Sequence, residues 1–171
     1  MRSLTPALLA PLLSSSAIAS SAIIATAGAA SAQIPDYYVG AGVRALFNDD
    51  TAFILDSKVK VFEFGGSSQG RTPRSVGSQY TASVRPALYF GNETEYRVPI
   101  TVETEFSENF YPFLGGGIAY NVDGSEDIDP MITAGLDVRL SQQLILNVEG
   151  NFIFQNNDTD AELTASINYA F

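Results

Sequence analysis

Nine charged side chains sit one residue away from apolar neighbours on short runs: Arg44, Lys58, Lys60, Arg85, Glu103, Glu105, Asp137, Arg139 and Glu149. Examples are Val43-Arg44-Ala45, Val102-Glu103, Leu136-Asp137-Val138-Arg139-Leu140 and Val148-Glu149. The chemistry open to such groups is ion pairing. Cations dominate the first runs and carboxylates the later ones, so a closed sheet would set opposite charges against each other across its interior. Buried charges need such partners, because an unpaired ion out of water is very costly. The structural reading is therefore a charge-plugged lumen. A sharper reading is a gate, in which exchange of partners opens a narrow water path.

Other chemistry has little to work with. The chain has no His and no Cys, so the usual general base, the commonest metal ligand and any disulfide are missing. A Ser–His mechanism has no base here, and Ser–Lys chemistry would need Lys58 or Lys60, both expected in the lumen. No enzyme, catalytic residue or cofactor is expected. The acidic stretch from Asn121 to Asp129 offers carboxylates that suit Ca²⁺. Its spacing is not that of an EF-hand loop, so it reads as a solvated turn and not as a metal site. Asn92-Glu93-Thr94 and Asn157-Asp158-Thr159 match the glycosylation sequon and read as turns.

The elements that carry the charges are strands. Eight segments alternate with a period of two, at about 37–46, 56–64, 81–90, 98–106, 111–122, 131–140, 144–154 and 161–171. In the first, Val39, Ala41, Val43 and Ala45 oppose Tyr38, Gly40, Gly42 and Arg44. In the second, Val59 and Val61 oppose Lys58, Lys60 and Phe62. In the third, Pro86 breaks the rule that a closed sheet has no place for a missing N–H, and a bulge is expected there. Gly91 to Glu95 reads as a turn, and Gly65–Gln79 as the longest connection. No helix is predicted.

Strands of about ten residues suit a tilted membrane crossing, and the distribution of polarity separates a membrane barrel from a soluble one. A soluble lipocalin-like barrel places its apolar side chains inside. Here the polar face carries nearly all the charge, including Glu162, which suits a lumen, while the apolar face suits lipid. Aromatic residues gather at strand ends: Tyr37, Phe64, Phe106, Phe110, Tyr111, Tyr169 and Phe171 at one, Phe47, Phe90, Tyr96, Tyr120 and Phe154 at the other. Two girdles are the expected mark of two membrane interfaces.

The N-terminus adds a compartment. Arg2 precedes an uncharged, Ala/Ser/Leu-rich stretch that ends in Ala30-Ser31-Ala32, so residues 1–32 read as a secretory signal peptide. The expected mature domain, 33–171, holds 8 basic and 19 acidic residues once Arg2 is removed. That balance argues against nucleic acid as a partner.

The last strand, Ala161 to Phe171, sets Leu163, Ala165, Ile167, Tyr169 and Phe171 against Glu162, Thr164, Ser166 and Asn168, and the chain stops on the aromatic ring. With the seven strands before it, this resembles the small eight-stranded outer-membrane β-barrels of Gram-negative bacteria, of OmpA and OmpX architecture, although no loop motif particular to either is present. The resemblance implies an antiparallel up-and-down transmembrane barrel with both termini in the periplasm. Connections 47–55, 91–97, 123–130 and 155–160 would then face outward. It implies lipid and lipopolysaccharide as surroundings, a barrel-assembly machinery that reads Phe171, and a monomer. The function expected is a structural or interaction role, with a porin-like narrow channel or a soluble periplasmic binder as alternatives.

Overall fold

The computed structural model describes residues 34–46, 51–65, 79–122, 128–156 and 158–171. The expected signal segment, Phe47, most of the 65–79 connection and residues 123–127 of the acidic stretch lie outside them. Nine hydrogen-bonded segments follow in order: β1 (Tyr37–Leu46), β2 (Thr51–Phe64), β3 (Tyr80–Val84), β4 (Ala87–Phe90), β5 (Thr94–Thr104), β6 (Phe110–Asn121), β7 (Ile128–Arg139), β8 (Leu144–Phe154) and β9 (Thr159–Ala170). Segments β3 and β4 are successive halves of one strand lying between β2 and β5. β1 pairs with both β2 and β9. All pairings are antiparallel, and the result is a closed eight-stranded barrel. Closure removes the free edges that an open sheet would present.

Register fixes its dimensions. The Lys60 N–H bonds to the Asp36 carbonyl. From Lys60, paired residues run through Ser83, Thr101, Gly115, Thr133, Asn151 and Glu162 to Leu46. One circuit thus returns to the first strand ten residues further on, at Leu46 instead of Asp36. For eight strands this shear requires a tilt of about 40° and a backbone radius of about 8 Å. So narrow a cylinder is filled by its own side chains.

The two faces differ in chemistry. Val39, Val43, Phe53, Leu55, Ile100, Leu114, Ile132, Leu163 and Ile167 are exposed outside. Lys58, Arg85, Arg97, Glu103, Asp137, Glu149 and Glu162 are buried inside. Small apolar clusters lie toward the lumen ends: Tyr38, Ile145 and Ala170 near the chain termini, Ala119, Met131 and Ile153 at the far end. The seam is closed at the terminal end by Phe171, whose N–H bonds to the Tyr37 carbonyl at 3.3 Å and whose ring stacks on that of Tyr37.

Several local expectations change. β2 begins at Thr51, earlier than the alternation suggests, because Ala52 and Ile54 point into the apolar end of the lumen, and β7 begins at Ile128, where its pairing with β6 runs on to Tyr120. β5 begins at Thr94, so Glu95 and Arg97 belong to the wall and not to a connection. Pro86 carries no bulge, since Val59 pairs with Val84 and Asp56 with Ala87 in one continuous register. The ladder simply lapses at Arg85–Pro86, where the Pro86 carbonyl accepts the N–H of Ser57 at 3.0 Å. The register shift lies on β2 between Lys60 and Phe62, and it turns Phe62 outward, against the inward position expected of it. Tyr111, expected in a girdle, is fully buried in the lumen.

Candidate functional site

Most charged side chains of the interior fall into two layers. The layer nearer the termini joins Lys58 of β2, Arg85 of the β3–β4 link, Glu103 of β5 and Asp137 of β7. Lys58 Nζ lies 2.6 Å from Glu103, and the Arg85 guanidinium lies 3.0 Å from Glu103 and 2.8 Å from Asp137. Ser83 donates to Glu103 at 2.9 Å and Asn147 to Asp137 at 2.7 Å. Arg85 Nε donates to the Thr101 hydroxyl at 2.9 Å, and its guanidinium carbon sits 3.7 Å from the Phe113 ring centre. Gly135 makes room for that ring, because a Cβ there would fall on it. Two cations meet two carboxylates, so this layer is electrically balanced.

The second layer is nearer the far end. Arg97 of β5 bonds to Glu95 at 2.7 and 2.9 Å and to Glu162 of β9 at 2.9 Å. Arg44 of β1 lies 3.1 Å from Glu95 and 3.5 Å from Glu162. Asn151 donates to Glu162 at 3.2 Å, and Arg97 stacks on Tyr89 with 3.9 Å to the ring centre. Here too two cations meet two carboxylates. Charge-assisted, partly bidentate bonds of this kind are the strong class of hydrogen bond, and in a narrow interior they fix side chains that would otherwise carry unsatisfied charge.

The nine residues singled out from the sequence are therefore divided. Arg44, Lys58, Arg85, Glu103 and Asp137 enter the two layers. Glu149 lies inside but belongs to neither. Lys60 stands at the terminal rim with Asp36 and Glu63, Arg139 lies against the Tyr111 ring at 5.3 Å, and Glu105 sits beyond the end of β5. The layers also contain Arg97, Glu95 and Glu162, which that set leaves out. Period two runs back through Ile100, Val98 and Tyr96 to place Arg97 and Glu95 inward. Pro99 and the turn-like Gly-Asn-Glu-Thr-Glu sequence conceal this.

Between the layers lies a small chamber with about 20 Å³ of free space, lined by Tyr38, Asp56, Arg85, Tyr89, Arg97 and Glu149 among others. Asp56 accepts a hydrogen bond of 2.6 Å from the Ser166 hydroxyl. No group of three or more acidic residues suited to hold a metal ion occurs among the described residues.

No protein-family model matches the sequence, and no curated protein matches it. Solved structures do. A de novo designed transmembrane β-barrel is 19% identical, with 81% of this chain and 98% of that one covered and a TM-score of 0.55. The outer membrane enzyme PagL is 15% identical, covering 77% of this chain and 97% of that one, at a TM-score of 0.55. Ail of Yersinia pestis, in a phospholipid bilayer nanodisc, is 9% identical, covering 81% and 100%, at 0.51. At such identities the likeness is one of fold: this chain has the fold of the small transmembrane β-barrels of the bacterial outer membrane.

Proposed function

We propose that this chain is an integral outer-membrane β-barrel with a structural or interaction role, closed to solutes by its own interior charges. The observation that carries this reading is the pair of balanced ion layers, each built from at least three strands, inside a cylinder of about 8 Å backbone radius. The apolar exterior belongs against acyl chains, where every backbone group must be paired within the protein, as a closed barrel allows. A soluble binder is disfavoured because the interior is charged and the exterior apolar. The likeness to PagL extends to the fold and carries no activity here.

Orientation and partners follow the same reading. With the termini in the periplasm, the connections after β1, after β4, after β6 and after β8 face outward, and their acidic residues would share divalent cations with lipopolysaccharide phosphates. Phe171, exposed beside Tyr37, offers the assembly machinery its C-terminal signal. A monomer suffices, since closure leaves the sheet without an edge. A second reading, a narrow channel, rests on the chamber between the layers. The two are separated by flux. The chain refolded into potassium-loaded liposomes should release the ion no faster than protein-free liposomes; rapid release proportional to protein would favour the channel.

A further inference from the structure

The interior charge does not balance as a whole. Each layer is neutral, yet Asp56 and Glu149 lie between them and belong to neither. Among the described residues no cation stands within ion-pair distance of either carboxylate. The two are placed at one height by the shear, because a circuit that climbs ten residues over eight strands rises a little over one residue per strand. Asp56 is four residues beyond Lys60 toward the far end, and Glu149 two residues short of Asn151. The rise over the five strands that separate them makes up the difference.

Both line the same enclosed chamber, which has room for one or two water-sized groups. Glu149 is 9% exposed. On Asp56, one carboxylate oxygen accepts from Ser166 while the other, Oδ1, is buried without a hydrogen-bond partner. Asn168 Oδ1, fully buried, also lacks a donor. Asp56 and Asn168 are the paired neighbours of Gly40 on either side, and a Cβ on Gly40 would collide with Asn168. The missing side chain leaves polar groups of β2 and β9 room to approach across β1.

The charged and titratable groups around the chamber can be named strand by strand. Those lining it, besides Asp56 and Glu149, are Tyr38 on β1, Arg85 and Tyr89 on the β3–β4 strand and Arg97 on β5. Asp137 on β7 and Glu162 on β9 stand behind as ion-pair partners of Arg85 and Arg97, with Lys58 on β2 and Arg44 on β1 beside them. Arg85 and Arg97 face it, but each already serves two carboxylates of its own layer. Two further carboxylates in a lumen surrounded by lipid demand positive charge from elsewhere.

We propose that the chamber takes up a small cation from solvent, a proton or an alkali ion, held between Asp56 and Glu149. The site rests on the reading that the charged face lines the lumen. Uptake accompanies folding, so a proton at this site makes the barrel lose stability as pH rises, since the folded state then binds more protons than the unfolded chain.

The test is urea unfolding of the chain refolded in lipid vesicles, from about pH 6 to about pH 9, in sodium chloride and in choline chloride. Heat-dependent gel mobility would show that each variant folds. The wild-type midpoint in choline should fall with rising pH, and the isosteric double variant D56N/E149Q should give a flat profile and a midpoint above wild type at the alkaline end. Restoration of the wild-type midpoint by sodium at high pH would assign an alkali ion; insensitivity to sodium would assign the proton. A wild-type profile as flat as that of the double variant in both salts, or a double variant less stable throughout, would overturn the proposal. Glu103→Gln is the control for the underlying reading. It should weaken the barrel at every pH, and if it does not, the assignment of faces fails and not merely the chamber.

Discussion

At the scale of the residue, Arg97 shows how the interior is held. It is 1% exposed, bonds to two carboxylates and lies flat on Tyr89. Breaking one side of a buried pair strands the other charge, which is more damaging than losing the pair altogether. Arg97→Met should therefore lower unfolding free energy by about 3–5 kcal/mol, read from urea titration in lipid vesicles. Adding Glu162→Leu to Arg97→Met should recover part of that loss, although Arg44 then keeps only Glu95. A loss in the double variant equal to the sum of the two single losses would mean that the two side chains do not interact. The sequence marks Arg44, Lys58, Arg85, Glu103 and Asp137 as inward because each adjoins at least one apolar residue of the opposite face. It does not reveal which of them meet. Lys58 and Glu103 are separated by 45 positions along the chain, and their contact depends on the shear, which no local pattern records.

At the scale of the element, the strands were legible wherever the two faces differ in chemistry. The middles of β8 and β9 alternate cleanly because polar Asn147, Glu149, Asn151, Thr164, Ser166 and Asn168 point in while their apolar neighbours point out. The start of β2 was not legible, because Ala52 and Ile54 point into an apolar part of the lumen and the contrast between faces vanishes. Pro86 misled in another way: a strand can tolerate a missing N–H by interrupting its ladder for two residues without adding one. The face assignment itself has a direct check on β5. Ile100 is 60% exposed on the outer surface, while its neighbour Thr101 is fully buried. Ile100→Arg should cost about 2–4 kcal/mol in a bilayer, the range for a cation on the lipid face near the midplane. A neutral result would place residue 100 in water.

At the scale of the whole molecule, closure and charge work together. Eight strands at this shear leave an interior that side chains can fill, and two balanced layers fill it from opposite ends with Asp56 and Glu149 between them. The apolar exterior suits lipid, and in the function proposed above the layers close the interior. The most direct measurement of that claim is current across a planar bilayer after insertion of the refolded chain, with its heat-dependent gel shift as proof of folding. The account predicts no steps above the bare-membrane background for the wild type, and openings once Arg85→Ser and Arg97→Ser are combined to dismantle both layers. Steady unitary currents from the unmodified barrel would contradict it and make the lumen a conducting pore.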